Sequence, residues 1–139
     1  GLAGFCAAAL LGVQPPQEPG NAAAAARVVL SDGSEAVLEN LRHNVELNAD
    51  RFGTTRVEAL LFEWDEFVSG KSTGPVEAES VDILLGSDII WGHRGELVGR
   101  VARRLVRPGG RLVLSAQEGR EGLDVFEDVL RRPIGEGLG

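Results

Sequence analysis

Apolar and polar positions along this chain switch several times between the period of a helix and that of a strand. Leu2, Phe5, Cys6, Ala9 and Leu10 fit one face of a helix over 2–11, with Gly12 as its stop. Residues 14–21 are rich in proline and polar side chains and read as a surface loop, and residues 22–26 are a low-complexity alanine run. A short strand over 27–30 ends in Ser31-Asp32-Gly33-Ser34. Leu38, Leu41 and Val45 then share one face of a helix over 35–47 that Asn48 can stop. A second strand is predicted over 56–62, a variable loop over 66–80 and a third strand over 81–85. Leu97, Val98, Val101 and Leu105 mark the inward face of a helix over 96–106, Pro108-Gly109-Gly110 makes a turn, and 111–115 is a fourth strand. Leu123, Phe126 and Leu130 define a last amphipathic helix, ended by Pro133.

Helix and strand alternate throughout. The expectation is an α/β fold in which right-handed crossovers lay helices on a parallel sheet. A chain of 139 residues is the size of one domain with a real core, so residues 1–139 are expected to form a single domain with a flexible tail at 133–139.

The stretch VDILLGSDIIW, residues 81–91, carries the most chemistry. A nearly all-apolar strand is expected to be buried on both faces, as in a parallel sheet. Ligands bind such sheets at the carboxyl ends of the strands, which is where Ser87 and Asp88 stand, with Trp91 three residues beyond Asp88.

Charge narrows the partners. A formal net charge of −7 disfavours duplex nucleic acid and anionic membranes, both of which need a basic surface. One cysteine excludes an intrachain disulfide framework, and Cys6 among small apolar residues reads as an inert core thiol. Residues 2–11 resemble the apolar part of a signal peptide but lack a basic leader and are too short to span a bilayer. An internal helix is expected instead, with both chain ends as cut points and a cytoplasmic or nuclear location.

Four places have residues of the right type for chemistry. Asp32, after the first strand, can accept hydrogen bonds from both hydroxyls of a ribose, or can cap the next helix in a capping box with Glu35. Glu63 and Trp64, after the second, can meet a purine by hydrogen bonding and stacking, or Trp64 can cover the core edge. Asp88 can orient or deprotonate an amine beside the π face of Trp91, or can serve as a turn residue. Gly1 and Gly4 can let a ligand approach a helix N-terminus. His93 reads as a solvated loop side chain. Arg100, Arg103, Arg104 and Arg107 read as a solvated basic face, and Asn40, Asn44 and Asn48 as a polar stripe. No metal-ligand pattern is present.

Taken in order, these pieces resemble the S-adenosylmethionine-dependent methyltransferases of the seven-strand Rossmann-like class, and more narrowly the protein-lysine methyltransferase group called methyltransferase family 16. GLAGFCAAALLG resembles the end of that group's glycine motif and the helix behind it. RVVLSDG with VLENLRHNVELN resembles the second strand and following helix. LLFEWDE, VDILLGSDIIW and RPGGRLVLS resemble the strands that follow.

The resemblance implies a Rossmann-like sheet with helices on both faces, truncated so that the first strand and the last strands are missing. It implies a methyl transfer from S-adenosylmethionine to a lysine of a protein substrate, with the isolated fragment inactive. Gly1 would end the cofactor loop, Asp32 would hold the ribose, Glu63 and Trp64 would flank the adenine, and Ser87 would line the pocket near the methionine part. Asp88 and Trp91 would face the amine, Trp91 replacing the group's usual tyrosine. The alternatives are methylation of a small molecule and an inactive interaction module with the same fold.

Overall fold

A computed structural model describes residues 2–13 and 25–133. Gly1, the expected loop at 14–21, most of the alanine run and residues 134–139 of the tail lie outside the described residues. The chain divides into two compact units, Gly1–Phe62 and Glu63–Gly139. Each contains a strand, a helix and a second, parallel strand.

The first unit runs α1 (Leu2–Gly12), β1 (Arg27–Asp32), α2 (Glu35–Leu47), a single 3-10 turn (Ala49–Arg51) and β2 (Arg56–Leu61). β1 and β2 pair in parallel from Arg27↔Arg56 to Asp32↔Leu61. The spacing of Leu38, Leu41 and Val45 carries through: Leu38 and Leu41 are buried with Leu30, and Phe5, Val28, Val45, Val57 and Ala59 pack around them. Each such leucine stabilises the unit by roughly 2–3 kcal/mol through its removal from water. Asn48 caps α2, and the asparagine stripe is a ladder, Asn44 Nδ2 donating to the Asn40 carbonyl at 2.7 Å and Asn48 Nδ2 to the Asn44 carbonyl at 2.8 Å.

α1 turns a different face inward from the one expected. Leu2 and Leu10 are 79% and 71% exposed, and Cys6 is exposed rather than a core thiol. Ala8 is buried, Phe5 stacks on Phe52 with ring centroids 6.2 Å apart, and Gly4 admits the Leu30 side chain where a Cβ would clash. A helix apolar on every side has no periodicity from which to choose a face.

The second unit runs α3 (Trp64–Val68), β3 (Val81–Ser87), α4 (Arg94–Leu105), β4 (Val106–Ser115) and α5 (Leu123–Arg131). The first residues of the expected loop at 66–80 therefore belong to α3. β3 and β4 are parallel, but the register jumps from Val81↔Val106 to Ile83↔Arg111. The expected Pro-Gly-Gly turn is this bulge, inside a strand that starts five residues earlier than the predicted 111. Gly109 sits at φ +78°, and a Cβ on Gly110 would lie 2.8 Å from the Val81 carbonyl oxygen.

Ile90, Val98 and Phe126 form the core of this unit, with Trp64, Ile89, Leu112, Leu114 and Leu123 packed against it. Val129, not Leu130, is the buried residue in the last turn of α5. α4 meets α5 through Gly95 and Gly99, where side chains would run into the Gly122 carbonyl and Val129. The basic face of α4 is largely turned to structural use. Arg103 donates to the Val129 and Arg132 carbonyls, and Arg104 to those of Phe67 and Val68, so each guanidinium caps a helix end. Arg107 Nε pairs with Asp82 Oδ1 at 2.5 Å.

The third strand is covered on one face only. Leu112 and Leu114 of β4 point into the core, whereas Ile83, Leu85 and Val113 are 57%, 39% and 54% exposed. Among the described residues no helix is long and apolar enough to cross a membrane, and no cluster of three or more His, Cys, Asp or Glu could hold a metal.

Candidate functional site

Both strand pairs place the residues of interest at their carboxyl ends. In the first unit, the Phe62 N–H donates to the Asp32 carbonyl at 2.9 Å, which carries the pairing one step past β2 and sets the ends of β1 and β2 side by side. Asp32 closes β1, and Phe62 leads directly into Glu63 and Trp64. Asp32 Oδ1 accepts the Ser34 N–H at 2.9 Å, an Asx turn that fixes its carboxylate against its own loop. Ser34, not Asp32, is the N-cap of α2, and Glu35 pairs with Arg42 at 2.6 Å. The capping box of Asp32 and Glu35 is thus not formed. The carboxylate stays half-buried at the strand end, oriented as an acceptor.

In the second unit, Ser87 ends β3 opposite Ser115, and both are exposed. Asp88 follows in the left-handed region at φ +52°, its N–H donating to the Ser115 carbonyl at 2.7 Å. Aspartate tolerates this backbone better than most side chains, so the chain turns out of the strand without a glycine. The turn leaves the Asp88 side chain 62% exposed while Ile90, two residues on, is fully buried. Trp91 is 48% exposed, and the Arg94 guanidinium lies over its ring at 5.1 Å from the centroid.

Asp88 Oδ1 forms an ion pair with Arg120, from the loop between β4 and α5. Arg120 was missed in the sequence. Its only signal is its place between Gly119 at φ +71° and Gly122 at φ +88°, two left-handed positions that bracket a tight turn. Arg120 Nε is buried with no hydrogen-bond partner among the described residues.

Glu63 is the exposed N-cap of α3. Trp64, the first residue of that helix, is half-buried against the core around Ile90, as a residue covering the core edge would be. Gly86 is also a packing position, since a Cβ there would come within 2.6 Å of Ile89 and 2.8 Å of Leu114. His93 ends the turn before α4 and, with Asp65, Arg94, Glu96, Leu97 and Arg100, lines a shallow groove of about 240 Å³. None of the strand-end residues lines that groove. Its mixed charges are unlike the apolar walls that enclose a small ligand.

Taken one unit at a time, the residues suit separate parts of a nucleoside cofactor. A carboxylate preset as an acceptor at the end of β1 suits a diol, and the exposed Ser87 hydroxyl suits a polar tail. Trp64 offers only the part of its ring that the core leaves open. Gly1 lies outside the described residues.

Comparison with known proteins identifies the family. Residues 1–129 match the lysine methyltransferase family. A calmodulin-lysine N-methyltransferase of Arabidopsis thaliana is 33% identical over 64 residues, which are 46% of this chain and 19% of that protein. The chain therefore spans about a fifth of the length of this curated relative. With the family pattern running through both units, this chain belongs to the lysine methyltransferase family.

Proposed function

We propose that this chain carries residues of an S-adenosylmethionine-dependent methyltransferase that acts on a lysine side chain of a protein. The observation that carries the reading is the position of Asp88, an exposed carboxylate turned out of the end of β3 beside an exposed indole, in a chain of this family.

S-adenosylmethionine supplies an electrophilic methyl group on a sulfonium. Asp32 would accept hydrogen bonds from the ribose hydroxyls, Ser87 would hold the polar methionine part, and Glu63 and the open edge of Trp64 would bound the adenine. Asp88 would accept a hydrogen bond from the neutral amine and so direct the nitrogen lone pair, while the part of the Trp91 ring that Arg94 leaves open would favour the charge that develops on nitrogen. The lysine would lose its proton to solvent before the transfer; the neutral nitrogen would then take the methyl group as the methyl carbon–sulfur bond breaks, leaving a methylammonium and the thioether S-adenosylhomocysteine. Positioning supplies most of the acceleration, since no covalent enzyme intermediate is needed. The Arabidopsis relative is named for calmodulin. For this chain the substrate class is a lysine on a protein surface. The replacement of tyrosine by Trp91 favours the alternative, an inactive module of the same fold.

The test is incubation of the full-length protein with methyl-labelled S-adenosylmethionine and a cell lysate, followed by amino-acid analysis. Label is expected in methyl-lysine, and Asp88→Asn is expected to remove it. Label confined to small molecules would move the substrate class to metabolites, and no label anywhere would leave the inactive module. Asp32→Asn is expected to weaken cofactor binding by roughly tenfold to a hundredfold, the loss of a charge-assisted hydrogen bond, read by calorimetric titration.

A further inference from the structure

We infer that Arg120 is a positioning residue that tunes Asp88 toward a neutral amine and away from an ammonium ion. The inference rests on the reading above, in which Asp88 faces the amine. Arg120 engages Asp88 Oδ1 from a loop 32 residues away, while the Asp88 backbone is fixed separately by its left-handed turn and its bond to Ser115. Oδ2 has no partner among the described residues and is the acceptor left for a substrate.

The chemistry gives the pair a purpose. A lysine arrives as an ammonium, whose nitrogen has no lone pair, and only the neutral amine can accept a methyl group. A lone exposed carboxylate attracts the ammonium and so favours the unreactive form. A carboxylate already balanced by a guanidinium keeps an acceptor oxygen but loses most of its net field. It can orient the amine without holding its proton. Arginine suits this role because its charge is permanent and its planar fork fixes one carboxylate oxygen. The same unit repeats the theme at Trp91, whose π face already carries the Arg94 guanidinium.

Removing Arg120 should tighten binding of a cation. The chain contains two tryptophans and no tyrosine, so in a Trp64→Phe background the fluorescence of Trp91 is the single indole signal. Titration at neutral pH with Nα-acetyl-lysine amide should show binding about fivefold tighter in Arg120→Gln than in the parent, the effect of deleting one like charge near a solvated site. Arg120→Lys should restore the parent value. Nα-acetyl-norleucine amide, uncharged and similar in length, should not distinguish the variants. Damage to the fold would weaken both probes, so tighter binding of the cation alone separates positioning from structure.

Equal or weaker lysine-probe binding in Arg120→Gln would overturn the role of Arg120. Asp88→Asn separates this from failure of the underlying reading. If it titrates like the parent, the amine does not meet Asp88; if it loses the signal while Arg120→Gln changes nothing, Asp88 stands and Arg120 does not. Should Arg120→Gln lose its circular dichroism, Arg120→Met keeps the apolar stem in its place. Loss of structure in both, with Arg120→Lys folded, would make Arg120 a structural residue and overturn the proposal.

Discussion

The two units solve one problem in different ways. Each has an aspartate at the carboxyl end of a parallel pair, Asp32 as the last residue of β1 and Asp88 as the residue after β3, the edge where such sheets meet ligands. Asp32 is held by the N–H of a residue two places on, and Asp88 by an arginine thirty-two places on. The first arrangement is local, neutral and written in four consecutive residues. The second is distant, charged and depends on a loop from another element. In the proposed function Asp32 would need only orientation, which a backbone donor gives, whereas Asp88 would meet an amine and would also need its field set, which takes a second charge.

The largest effects should come from the cores, because everything at the strand ends depends on them. Leu38 and Ile90 are both fully buried, one in each unit. Truncation of either to alanine is expected to cost about 2–5 kcal/mol. Hydrogen exchange should show Leu38→Ala releasing amides first in 27–61 and Ile90→Ala releasing them first in 81–131. Equal loss of protection in both stretches from either variant would refute a division into separately cored units.

Next in size is the junction of α4 and α5, which has no counterpart in the first unit. Gly95→Ala sets a methyl group against the Gly122 carbonyl, and overpacking of this kind costs about 1–3 kcal/mol. Gly92 is the useful contrast, because nothing lies within 4 Å of a Cβ there and only its φ of +53° opposes alanine. Thermal melts should rank Gly95→Ala below Gly92→Ala. The reverse order would mean that α4 and α5 are not packed backbone to backbone.

How much was legible follows the same divide between local and distant causes. The helix at 35–47 was read to the residue because three core side chains and a stop residue lie on one short segment. The strand before Asp88 was read because it is apolar and ends in turn residues. The exposure of Cys6 has no signal in a helix that is apolar all round, and the start of α3 has none because a five-residue helix has too few turns to show a period. The arginines of α4 were read as solvated because the carbonyls they cap belong to α3 and α5. Arg120 was invisible for the same reason: nothing near it in the chain announces Asp88.

The turn at Asp88 gives a smaller effect that separates backbone from charge. Its φ of +52° suits Asn nearly as well as Asp and suits Ala poorly. Asp88→Asn should therefore melt close to the parent, and Asp88→Ala about 1 kcal/mol below it. If the two variants melt together, the left-handed turn is relaxed by other means and Asp88 was chosen for its charge alone. Asp32, in an ordinary strand conformation, should show no such split.

The smallest effect lies on the first unit's sheet. Arg27 on β1 pairs with Glu58 on β2 at 2.6 Å, and Arg56 reaches the same carboxylate at 2.7 Å. The Arg27 hydrogen bond, helped by Arg56, holds the Glu58 carboxyl below its ordinary value of 4.5 against a partial opposing effect of burial. The folded state then binds fewer protons than the unfolded state in mild acid, so stability rises with pH there. The contribution is complete above pH 4.5 and is lost as pH falls toward the lowered value. Glu58→Gln should be less stable than the parent at pH 7 by no more than about 1 kcal/mol, since Arg27 and Arg56 are largely solvated. The gap should narrow as the solution is acidified, and denaturant titrations at pH 7 and pH 3 would read it. A gap that widens in acid would mean that the carboxyl is held in its protonated form, and the cross-strand pair would then not be what ties β1 to β2 on that face.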